Sequence, residues 1–93
     1  MAKLTIGRAV RRAPKPFVPM PAVYWQGPAP KRCDLCGQPF RNVFIDGAIG
    51  KGPASTWGRL DLACHRMHGV GIGDGKGQLF RLQADGRWLK TEG

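Results

Sequence analysis

A small α+β domain carrying a long extended N-terminal arm is the fold class this sequence predicts. Three observations predict it: an acid-free, proline-rich N-terminal third; a cysteine pair at C-x2-C-G spacing ahead of a β-favouring run; and a short helical pattern ahead of a C-terminal hairpin. The 93 residues amount to one small domain, too short for a multidomain enzyme or a large enclosed active site. A chain of this length buries only a modest part of its surface, so a staple is expected. No apolar run approaches the roughly 20 residues that span a bilayer. The start, Met1 to Arg8, is basic but lacks an apolar h-region, so neither a membrane partner nor a secretory signal is expected.

The charge divides the chain. Lys and Arg number 15 against 6 Asp and Glu, and 15 − 6 gives a net charge of +9. Residues 1–32 hold Lys3, Arg8, Arg11, Arg12, Lys15, Lys31 and Arg32 and no acid, which is +7. Residues 33–93 hold the other 8 bases and all 6 acids, which is +2. Six of the 8 prolines lie in the same arm: Pro14, Pro16, Pro19, Pro21, Pro28 and Pro30. Proline fixes φ, removes a donor and pushes its predecessor to extended geometry, so neither a helix nor a central strand runs through. The expected state is an extended strap over residues 1–32, with a reach of roughly 100 Å. Phe17, Tyr24 and Trp25 punctuate it. They are expected to anchor in grooves of a partner; the alternative is that they fold back on the chain's own core.

Residues 33–93 form the second unit. Cys33-Asp34-Leu35-Cys36-Gly37 places two thiolates on one side of a tight turn, with a glycine that lets the backbone close. That is a knuckle supplying half of a tetrahedral zinc site. A redox motif would want a helix opening at the first cysteine, and Pro39 follows too soon for that. Cys64 makes the cysteine count odd, so a fully paired disulfide framework is excluded. It lies where Leu60, Cys64 and Met67 recur at helical spacing, with Asp61 as N-cap and Gly69 as stop. Zinc is therefore expected on Cys33, Cys36, Cys64 and one more ligand. His68, one turn after Cys64 at C-x3-H spacing, stands first; Asp61, three residues before it, competes. The order of knuckle, β-hairpin, short helix and C-terminal hairpin makes the domain treble-clef-like. Three such ligands plus a weaker one contribute roughly 10–16 kcal/mol of folding free energy when the metal binds.

Arg41 to Ile45 favours a strand and ends at Asp46-Gly47, a turn signal. Residues 46–59 are expected to be loop, with Trp57 as a core plug. The alternating glycines of 69–77 lack the strand–helix frame of a phosphate loop, and are expected to pass close by the zinc site. Leu79 to Gln83 and Arg87 to Lys90 flank Ala84-Asp85-Gly86 as a hairpin.

Residues 33–91 resemble small treble-clef or zinc-ribbon-like zinc-finger proteins of tailed bacteriophages. The matching stretches are Cys33 to Gly37, Phe44 to Gly47, Gly52-Pro53, Cys64-His65, His68 to Gly73, Gly77-Gln78 and Ala84 to Lys90. In that group the second ligand pair is also C-x2-C. Here Asp61 stands in place of its first cysteine, and the loop before it is a few residues longer. The resemblance implies zinc and a phage setting, but the group has no settled activity.

These readings favour a non-enzymatic accessory protein. It would dock through its arm on subunits of a large assembly, a phage virion or nucleoprotein particle, in the bacterial host cytoplasm or the virion. The alternative is a non-specific nucleic-acid-binding zinc finger, with arm cations on phosphates. A nuclease ranks lower. The Cys64-His65…His68 stretch resembles the end of HNH-type nucleases, but the strand Val43 to Asp46 has no histidine to act as base.

Overall fold

The computed structural model describes residues 21–93. They form a small α+β unit: one four-stranded antiparallel sheet and one helix. The strands are β1 (Val43–Ile49), β2 (Thr56–Leu60), β3 (Gly77–Leu82) and β4 (Trp88–Glu92), in the order β2-β1-β3-β4. A 3-10 turn, Gly52–Ala54, interrupts the β1–β2 connection, and the helix α1 (Leu62–His68) follows β2. β3 and β4 form the expected C-terminal hairpin. Pairing of β3 with β1 merges it with the first hairpin into one sheet.

β1 is an inner strand, and it has something to bury on both faces. Phe44 opposes Phe80 of β3, and their rings stack at 5.2 Å. Trp25 meets both edge-on at 5.4 Å, Trp88 meets Phe44 at 4.9 Å, and Phe40 stacks on Phe44 at 5.3 Å. Such pairs add about 0.5–1.5 kcal/mol each beyond the area they bury. Side chains alternate along a strand, so Ile45 faces the other way. Its cross-strand partners are Leu60 and Leu79, an aliphatic row across β2, β1 and β3 in which all three are buried.

Asp46-Gly47, expected as a turn, lies inside β1. Gly47 pairs with Gly58 on one side and Gly77 on the other. A Cβ on Gly47 would come within 2.9 Å of the Lys76 carbonyl oxygen, so the glycine serves a close backbone approach and no reversal. The strand then runs on to Ile49 and shortens the expected loop. Trp57 is no core plug either. It lies on edge strand β2, is 51% exposed, and donates its indole N–H to Asp46 Oδ1 at 2.9 Å.

The arm is described only from Pro21 onward. Residues 1–20 lie outside the described residues, so the extended strap expected there is not described, nor are Lys3, Arg8, Arg11, Arg12, Lys15 and Phe17. Tyr24 and Trp25, expected to contact a partner, are packed on the body. The Trp25 N–H donates to the Trp88 carbonyl at 2.9 Å, and the Lys90 N–H to Val23 at 2.8 Å. Tyr24 bridges Leu89 in antiparallel fashion and carries the Arg87 guanidinium 3.9 Å above its ring. Val23 to Trp25 thus cover the outer edge of β4, a row of donors and acceptors that would otherwise be open. At the opposite edge Asp34 exchanges hydrogen bonds with the Arg59 backbone, at 2.9 and 2.8 Å. The segment between Trp25 and Asp34 therefore crosses the sheet, a width of about 14 Å for three strand spacings. Residue 32, after which the boundary is expected, lies in this packed segment, and Trp25 adds apolar surface to a small body.

Trp25→Ala should therefore cost about 3 kcal/mol of unfolding free energy. Chemical denaturation checks this, and an unchanged midpoint would show that the segment rides on the sheet without stabilising it.

Candidate metal centre

The knuckle is closed by its own backbone. The Cys33 N–H donates to Gln38 O and the Gly37 N–H to Cys33 O, both at 2.9 Å. Gly37 takes φ +75°, the left-handed conformation that the tight reversal needs and that glycine adopts without strain. Leu35 N–H points at Cys33 Sγ from 3.4 Å, so the sulfur already sits among donors. Asp34 fastens this loop to β2 by the bonds described above. Its carboxylate lies over Gly58, where a Cβ would be 3.0 Å from Oδ2.

The second half comes from the start of α1. Asp61 is the N-cap, as its position before the helical pattern predicts, and its Oδ1 accepts the Cys64 N–H at 2.8 Å. Gly69 ends the helix with ordinary extended φ. A Cβ there would fall 2.3 Å from the His65 ring, so the residue is small for steric reasons. The apolar helix face expected from Leu60, Cys64 and Met67 does not form. Leu60 belongs to β2, Met67 is 77% exposed, and α1 buries no residue.

The two halves meet. One ligand atom from each of Cys33, Cys36, Asp61 and Cys64 lies within 4.8 Å of all the others. Cys36 Sγ is 3.0 Å from Asp61 Oδ2. A tetrahedral ion with metal–sulfur bonds of about 2.3 Å holds its donors about 3.8 Å apart, so modest contraction brings this set onto one ion. None of the three cysteines is in a disulfide. Three thiols and a carboxylate form a donor set that could hold a metal ion, and thiolate-rich sets select soft or borderline ions.

The four groups shift one another's protonation. Lost solvation, then the neighbouring Cys33, Cys36 and Asp61, push the Cys64 thiol up to about 12. The Asp61 carboxylate raises Cys36 by accepting from it. Burial alone would raise Cys33, but backbone groups of Cys36, Asp61 and Leu35 outweigh it and hold that thiol below its ordinary value. Asp61 is held low, first by Cys36 and then by the Cys64 N–H. A divalent cation inverts the local preference and stabilises all three thiolates together.

His68, ranked first from its spacing as fourth ligand, does not join the group; Asp61 occupies that corner. The reason is directional. Helix side chains lean toward the N-terminus, so Cys64 reaches back over the first turn toward Asp61, while His68 sits at the exposed last residue of α1. His65 Nε2 lies 3.0 Å from the Gly71 carbonyl oxygen, a contact that fastens the glycine run to the helix end. That run packs on His65 and the end of β1. Among the remaining expected contact residues, Lys31 and Arg32 are exposed, and Arg32 donates to Gly37 O at 3.1 Å. Asp34 and Asp46 were missed by sequence reasoning. Asp46 takes the Trp57 indole at 2.9 Å and lies 3.4 Å from the Arg59 guanidinium, a pairing across β1 and β2 that only the strand register creates. The one available signal for Asp34 was its place inside the knuckle.

The chain matches no protein-family model, no curated protein and no solved structure.

Metal binding at pH 7 should release roughly three protons, one per thiol, and none from the already ionised Asp61. Affinity should accordingly fall as pH falls, since protons compete for the thiolates. Calorimetric titration in buffers of differing ionisation enthalpy counts the protons; a count near zero would contradict thiolate ligation.

Proposed function

We propose that the chain is a non-enzymatic, zinc-stapled accessory protein that docks through its basic N-terminal stretch on a large assembly, a phage virion or nucleoprotein particle. The metal is zinc in this reading, because three thiolates with one carboxylate suit a tetrahedral d10 ion. The order of knuckle, hairpin and helix supports a treble-clef-like description, and the resemblance of residues 33–91 to phage zinc-finger proteins supports the setting.

The observation that carries the reading is the separation of charge from fold. Residues 1–20 hold Lys3, Arg8, Arg11, Arg12 and Lys15 without an acid, +5 of the +9. The described residues 21–93 hold the other 10 bases and all 6 acids, so 10 − 6 = +4. Tyr24 and Trp25 are committed to the body, which leaves attachment to the cations, Phe17, and the exposed Lys31 and Arg32. Among the described residues, β1 has no histidine to serve as base, and His65 Nε2 lies 3.0 Å from the Gly71 carbonyl oxygen. Among the described residues no helix is long and apolar enough to cross a membrane.

The same cations favour a second reading, non-specific binding of nucleic-acid phosphates. If all seven cations of residues 1–32 met phosphates, log affinity would fall with log salt at a slope of roughly −6. The triple substitution Arg8→Gln, Arg11→Gln, Arg12→Gln tests both readings and spares Trp25, which deletion of the whole arm would remove. Co-sedimentation with intact particles is expected for the wild type and lost in the triple variant. Binding to free duplex DNA with the steep salt slope, without particle binding, would select the second reading. Equal particle binding by wild type and variant would contradict the role of the basic stretch.

A further inference from the structure

Asp61 divides its carboxylate between two tasks. Oδ1 accepts the Cys64 N–H at 2.8 Å and starts the helix. Oδ2 stands 3.0 Å from Cys36 Sγ, inside the ring of donors. Cys64 closes a circuit, because the residue whose N–H is capped is also the one whose sulfur belongs to the ring. Few side chains could serve both ends. Asparagine caps a helix as well as aspartate does but offers a neutral oxygen. Cysteine ligates through a single atom and leaves the Cys64 N–H without its acceptor.

The helix that depends on this residue has little else to hold it. It is seven residues long and buries none of them, whereas isolated helices shorter than about 12–15 residues are marginal in water. Its far end is tied by backbone, with the Gly50 N–H donating to His68 O at 2.9 Å and Gly69 bridging Ile49, and by the His65 ring on the Gly71 carbonyl oxygen.

Resting on the reading of this cluster as a metal centre, we propose that Asp61 makes metal binding and formation of α1 a single event. Metal on Oδ2 holds the carboxylate in the orientation that caps the helix through Oδ1. The capped first turn in turn delivers Cys64 to the metal. α1 is then a metal-gated element: loading orders it, and removal frees both the helix and its link to the β1–β2 connection.

The test uses the full chain, with Co2+ as the probe. Its visible spectrum reports thiolate number and geometry, and amide exchange reports the helix. Asp61→Asn keeps the cap acceptor and weakens the ligand. It should bind Co2+ at least 10–100-fold more weakly, the range that loss of a supporting partner already costs, with an altered d–d spectrum. Asp61→Cys keeps a ligand and loses the cap. It should bind Co2+ strongly with a four-thiolate spectrum, while the Cys64 amide of the loaded protein exchanges roughly 5-fold faster than in wild type. In wild type, loading should slow exchange from Cys64 to Gly69, with Phe80 and Leu89 as controls for the folded sheet. Wild-type affinity and spectrum in Asp61→Asn would overturn the inference and leave a three-cysteine centre standing. Unchanged Cys64 exchange in Asp61→Cys would overturn it from the cap side, and that variant decides alone if Asp61→Asn does not fold. Absence of sulfur-to-cobalt charge transfer in wild type would overturn the metal reading itself, and the inference with it.

Discussion

The convergence of Cys33, Cys36, Asp61 and Cys64 within 4.8 Å is the constraint on which the arrangement of this small body turns. The sheet has its own reasons to exist: Phe44, Ile45, Leu60 and Leu89 are fully buried, and each such side chain contributes about 1.5–3 kcal/mol. The helix has none. Ordering its seven residues costs roughly 7–14 kcal/mol of backbone entropy, and no fully buried side chain of the helix offsets it. A structural metal bound there would contribute about 10–16 kcal/mol, comparable to that deficit, at the point where helix and knuckle meet. The two halves come from opposite ends of the β1–β2 hairpin, so one ion would close a loop of 27 residues between Cys36 and Cys64.

A second fastening acts on the other part of the molecule. Trp25 leaves the edge of β4 and lays its ring against Phe44 and Phe80, with the Arg59 guanidinium 5.2 Å from it. The segment that follows reaches the far edge, where Asp34 takes over the Arg59 backbone. Both sheet edges are thus covered by one continuous stretch that ends in the knuckle.

Much of this was legible locally. C-x2-C-G announces a knuckle because the spacing and the glycine are properties of the turn itself. Asp61 and Gly69 bracket α1 because capping and steric stops act within one helical turn. The C-terminal hairpin shows in two β-favouring runs around Ala84-Asp85-Gly86. Other signals misled for physical reasons. Asp46-Gly47 has turn chemistry, yet Gly47 is small because the Lys76–Gly77 backbone presses on it, a partner 30 residues away in sequence. Met67 and Trp57 carry hydrophobicity that suggests burial, but nothing in a body this small remains to cover them.

The sequence by itself determined the elements: which residues make a tight cysteine turn, which start and stop a helix, and where the unbalanced positive charge lies. These are short-range matters of dihedral preference, capping and composition. Tertiary structure alone decided which groups meet. It brought Asp61 into the ring of thiols and left His68 at the exposed end of the helix, since side chains lean toward the helix N-terminus and the first turn is the one facing the knuckle. It also took Tyr24 and Trp25 from the arm and gave them to the sheet, because the aromatic face of β1 and β3 needed a cover that only a residue from outside the strands could supply.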